Sequence, residues 1–146
     1  MGISDPRYSF LIEQMFRTLK TAGFEIEDTS LAEPSAMLTF AGLATIAAVS
    51  IMQLVKARDG GSGQLTEDCF EPDDKPLLKA LSRKLEGKTQ KLKNPHPPDD
   101  LAFASWVIAR LGGWDCYYGK PGPKTMRYGL ERYHAIKLGV KLAKDV

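Results

Sequence analysis

LAFASWVIARLGG, Leu101 to Gly113, is the stretch on which the fold turns. Wound as a helix it is apolar nearly all round, Ser105 and Arg110 excepted, so it has no face to give to water and belongs in the middle of a core. Asp99 or Asp100 stands where an N-cap is expected, and Gly112-Gly113 supplies the stop. Towards the C-terminus, a Gly/Pro loop from Gly119 to Pro123 precedes a helix expected over about Lys124 to Lys144. Along it Met126, Leu130, Tyr133, Ile136 or Lys137, and Val140 recur at helical spacing.

Towards the N-terminus, NPHPP, Asn94 to Pro98, cannot continue a helix. Before it, Asp74-Lys75-Pro76 opens a helix with Leu77, Leu78, Leu81 and Leu85 on one face and Gly87 as its stop. Further upstream lies an uncharged run from Pro34 to Val55, ended by Lys56, Arg58 and the glycine-rich Asp59 to Gly63. The first helix is expected from Tyr8 to Lys20, with Leu11, Ile12, Met15, Phe16 and Leu19 on one stripe. Strand-like alternation never exceeds four residues. The expectation is a mainly α chain of about five helices, divided into residues 1–58, a flexible linker at 59–72, and a domain at 73–146.

The composition fits one soluble domain: 146 residues, 43% hydrophobic and 26% charged. Cys69 and Cys116 form no C-x-x-C pair, which excludes a disulfide framework or a zinc cage. MGISDPRYSF carries no signal-peptide pattern, so the expected location is the cytoplasm. The run from Pro34 to Val55 is long enough to cross a bilayer, but about half of it is Ala, Gly, Ser, Thr and Gln. It is expected to be a buried helix of a soluble core, buried on most sides yet keeping some apolar surface exposed; a small membrane-associated protein is the alternative. No nucleophile elbow, Walker loop, H-E-x-x-H or G-x-G-x-x-G occurs. His96 and His134 are far apart and are expected at the surface.

Charge is uneven. Residues 1–72 carry 5 Lys/Arg against 10 Asp/Glu, whereas residues 73–146 carry 15 against 8. Lys75, Lys79, Arg83, Lys84, Lys88, Lys91 and Lys93 are interrupted by one acid, Glu86, and such a run suits a polyanionic partner. In the first helix Glu13, Arg17 and Lys20 fall on one polar strip.

IEQMFRTLKTAGFEIEDTSL, Ile12 to Leu31, resembles the segment of bacterial insertion-sequence transposases that supplies the last acid of an Asp-Asp-Glu triad. LAFASWVIARLGGW, with PGPKTMRYGLERYHAI after it, resembles the C-terminal dimerisation domain of the cut-and-paste members. The resemblance implies a helical C-terminal part of such an enzyme, without its ribonuclease-H-like sheet. It makes Glu13 the catalytic, metal-holding third acid and Lys20, with Arg17 beside it, a contact to DNA. The family uses two Mg2+ or Mn2+ ions, which one carboxylate cannot hold, so no cofactor is expected for this chain alone. The family pattern has Tyr and Arg seven and four residues before the Glu, where Pro6 and Ser9 stand here. Only twelve residues precede Glu13, leaving the two aspartates unprovided for. DNA is the implied partner, with Lys79, Arg83, Lys84, Lys88 and Lys91 as further contacts. A second copy, or a full-length transposase that the fragment would inhibit, is the other.

The last helix has its own argument for pairing. Gly139 in mid-helix costs about 1 kcal/mol relative to Ala and would let a partner backbone come close. Tyr133, Ile136, Gly139, Val140 and Ala143 are the expected interface.

Overall fold

Four helices succeed one another in residues 34–146, the part of the chain that the computed structural model describes: α1, Pro34–Ala57; α2, Lys75–Leu85; α3, Leu101–Leu111; and α4, Pro123–Lys144. Three short 3-10 turns, Thr66–Asp68, Pro72–Asp74 and Gln90–Leu92, join them. The protein is mainly helical, as the periodicity predicts; among the described residues there is no strand beyond an isolated bridge between Leu65 and Asp100. The expected first helix, with Glu13, Arg17 and Lys20, lies outside the described residues.

The chain divides into two compact units, Met1–Met52 and Gln53–Val146. In the first, α1 buries Ala44, Ala48 and Ile51 along one face while Leu38, Leu43, Ile46 and Val49 stay exposed. It is therefore buried on one side rather than on most. No helix among the described residues is long and apolar enough to cross a membrane.

In the second unit α3 takes the central place its sequence demands, with every residue from Leu101 to Ala109 buried. Its two polar members are both used. The Ser105 hydroxyl donates to the Leu54 carbonyl at 2.7 Å, pinning the last turn of α1 to the middle of α3. Arg110 donates from Nη1 to the Trp114 carbonyl at 2.7 Å and from Nη2 to the Leu85 carbonyl at 3.1 Å. It thereby satisfies a carbonyl left open at the end of α2.

The N-terminus of α3 is held differently from the expectation. Asp100 occupies the N-cap position but its side chain makes no capping bond. The chain from Gln64 to Thr66 does the fastening. Leu101 N–H donates to the Gln64 carbonyl at 3.0 Å, and Thr66 N–H to the Asp99 carbonyl at 2.8 Å. The buried Thr66 hydroxyl lies 3.1 Å and 3.0 Å from the carbonyls of Pro98 and Asp100. Phe70, a few residues on, is also buried. The segment expected as a flexible linker at 59–72 is thus, from Gln64 onward, part of the unit's packing. Its polar composition misleads because Thr66 is consumed by backbone carbonyls rather than by water.

α3 and α4 meet backbone to backbone. A Cβ on Gly129 would fall 1.9 Å from the Ile108 carbonyl oxygen, and one on Gly112 would fall 2.0 Å from that of Thr125. Any side chain at either position would force the helices apart. Beside this contact, Tyr133 is fully buried, its ring edge-on to Phe70 at 5.6 Å between centroids. Its hydroxyl donates to Asp74 Oδ1 at 2.6 Å. Tyr133 therefore belongs to the interior of the unit and is removed from the expected interface: an aromatic at core spacing has found its core within one chain.

Candidate nucleic-acid interface

The basic run divides once the chain is folded. Lys75 is taken up structurally, its Nζ 2.8 Å from Glu67 Oε1 and 3.2 Å from Asp99 Oδ1. These two carboxylates raise its pKa and strap the start of α2 to the turn at Thr66–Asp68 and the approach to α3. The other six cations differ. Lys79, Arg83 and Lys84 project from the exposed side of α2, opposite the buried Leu78 and Ser82. Lys88, Lys91 and Lys93 are exposed on the loop that follows.

That loop is a fixed platform. Gly87 N–H donates to the Leu92 carbonyl at 3.0 Å, closing it, and Leu92 packs so tightly on Gly87 that a Cβ there would meet its Cδ1 at 2.5 Å. Asn94 anchors the exit, donating from Nδ2 to Ser82 Oγ and to the Phe103 carbonyl, each at 3.2 Å. Glu86, the acid that interrupts the run, accepts from the Asn94 N–H at 3.1 Å and so serves the loop rather than a lysine. None of the six cations has a carboxylate within ion-pairing distance among the described residues. Lys91 instead lies 4.7 Å above the Tyr117 ring, a cation–π contact that steadies it at the surface.

Lys91 and Lys93 also border a cleft of about 360 Å3 within the second unit. Arg58, Lys120, Trp106 and Trp114 also line it. Arg58 is held by donation from Nη1 to the Pro121 carbonyl at 2.8 Å, and Trp114 by donation from Nε1 to the Gly119 carbonyl at 3.1 Å. The lining has one carboxylate, Asp59, whose Oδ2 lies 2.8 Å from Lys120 Nζ. That hydrogen bond holds the Asp59 carboxyl below the usual range. His96 is half-buried in the same lining, whereas His134 is exposed on α4. Sequence reasoning missed this cleft; its available signal was the placement of both tryptophans around Gly112-Gly113.

Nothing in the described residues makes a reactive centre of the cysteines. Both are free. Burial pushes the Cys69 thiol up to about 11 and raises that of Cys116 as well, so neither is a ready thiolate at neutral pH. Among the described residues no three His, Cys, Asp or Glu side chains are grouped to hold a metal ion. Glu13, the metal-holding residue that the resemblance implies, lies outside those residues.

Of the expected interface on α4, Gly139 and Ala143 are exposed, Val140 is partly so, and Ile136 is half-buried. Among the described residues, a Cβ on Gly139 would meet nothing within 4 Å. Leu138 and Leu142 are each 58% exposed on the same end. No family model, curated protein or solved structure matches the chain.

Proposed function

We propose that the chain is a DNA-binding, self-associating module corresponding to the C-terminal part of an Asp-Asp-Glu transposase, without transposition activity of its own. The observation that carries the DNA-binding reading is the surface of α2 and its loop: six exposed cations on a rigid support, none neutralised by a described carboxylate. Duplex DNA presents a dense line of phosphates, and each contacted phosphate releases counterions. Binding of this kind is independent of sequence and steeply dependent on salt.

The test is a salt titration of duplex binding by the full chain. The observed affinity should fall linearly on a logarithmic plot, with a slope of about −0.9 for each phosphate contact. Replacing Lys79, Arg83 and Lys84 together by Ala should flatten that slope by about 2–3 while leaving the helical circular dichroism intact. An unchanged slope, or no binding at low salt, overturns the reading.

A second reading, that the chain pairs with an intact transposase and poisons it, draws support from the exposed leucines at the end of α4. Large apolar side chains held outside a core favour association. Its measure is the mass of the full chain in sedimentation, alone and mixed with an intact transposase.

A further inference from the structure

The cleft beside the basic surface has a composition that the surface lacks. Its lining includes four cations, Arg58, Lys91, Lys93 and Lys120, against a single carboxylate, Asp59, which lies 2.8 Å from Lys120 Nζ and 3.9 Å from Arg58 Nε. Two indoles share that lining with Pro95, His96 and Pro121: Trp106, which is buried, and Trp114, which is half-exposed. The volume, about 360 Å3, is in the range of pockets that take one small ligand and far too small to admit a double helix.

Cations alone would suit any phosphate; cations around an aromatic wall suit a phosphate that carries a planar base. Within a duplex, both faces of a base are covered by its neighbours. Only an unpaired nucleotide can lay a face on an indole while its phosphate reaches the rim. Lys91 and Lys93 belong both to the cleft and to the basic surface, so a strand running along the loop would lead into it. We propose that this cleft is a subsite for one unpaired nucleotide of a single strand, its base against Trp114 and its phosphate shared by Lys120 and the loop lysines. The inference rests on the nucleic-acid-binding reading above, and deepens it from duplex phosphates to a single-stranded segment.

Trp106 and Trp114 are the chain's two tryptophans, so indole fluorescence of the full chain reports on this cleft alone. A short oligothymidylate, which cannot pair with itself, should quench that fluorescence on titration at low salt, and a blunt duplex of equal length should not. Lys120→Ala should weaken oligothymidylate binding by about tenfold and leave duplex binding, measured by gel shift, unchanged. Lys120→Gln, which keeps most of the side-chain stem, should behave alike if the Ala variant proves unfolded. Equal quenching by the duplex, oligothymidylate binding without a fluorescence change, or indifference to Lys120 overturns the subsite. If duplex binding persists in those cases, the surface reading stands and the cleft proposal alone falls. If neither nucleic acid binds, both fall.

Discussion

The two halves of α4 share one periodicity and have opposite fates. Met126, Gly129 and Tyr133 are buried; beyond Lys137 no residue is, and Leu138 and Leu142 stand in solvent. Length explains the difference. α3 has 11 residues and α4 has 22, so the helices extend about 16 Å and 33 Å, and the partner ends where α4 is half done. An apolar repeat thus shows which face of a helix can be buried, whereas the reach of its neighbour decides how far along that face burial goes.

Gly129 carries the largest effect in the buried half of α4. Its position against the Ile108 carbonyl leaves no flexible group to yield, because the obstacle is main chain on a fully buried helix. Gly129→Ala should destabilise the chain by about 3 kcal/mol or more, the upper end of overpacking costs. Urea unfolding would show it as a lower midpoint with an unchanged slope. A loss below about 1 kcal/mol would mean that the two backbones are not in contact.

The boundary between the halves is set by a polar cluster, and this is the second point of attack. Asp74 is 3% exposed and accepts from Tyr133, from Lys137 Nζ at 2.9 Å, and from the Glu71 N–H at 2.9 Å. Burial by itself would raise its pKa, but these three donors outweigh it and hold the carboxyl below its ordinary value. Asp74→Ala strands a buried tyrosine hydroxyl and leaves Lys137 only its longer pairing with Glu71, 3.6 Å from Nζ to Oε2, at a cost of about 2–3 kcal/mol. The sign of the pH dependence follows from the depressed pKa. The contribution is complete above the ordinary carboxylate value of about 3.9 and is lost as pH falls from there through the lowered folded value. Acid titration of the wild type should therefore show this loss, and Asp74→Ala should flatten that part of the curve; a parallel curve would take Asp74 out of the account.

Legibility follows the same division between local and distant. The helix limits read from the sequence, 34–55 and about 124–144, are close to the observed Pro34–Ala57 and Pro123–Lys144, because Pro, Gly and apolar spacing act within a few residues. Tyr133 and Asp74, fifty-nine positions apart, could not be paired that way. Nor could Arg58, Lys91 and Trp114, which come from three different loops to make the cleft. The cost of a mid-helix glycine marks Gly129 as much as Gly139, and sequence offers no way to rank them without knowing where α3 ends.

Gly139 then supplies the smallest and most discriminating prediction. With nothing within 4 Å of its Cβ position among the described residues, it carries the helical cost of glycine without a contact from them in return. If no partner covers it, Gly139→Ala should stabilise the chain, by less than the full 1 kcal/mol because the last turns of a terminal helix fray. Gly139→Leu should then leave the sedimentation behaviour untouched. If a second copy packs there, Leu would clash with the partner backbone, and dimer should give way to monomer while thermal unfolding of the dilute protein barely moves. Self-association through this end of α4 requires the second outcome; a stabilised variant of unaltered mass would leave Leu138 and Leu142 as solvent-exposed leucines and nothing more.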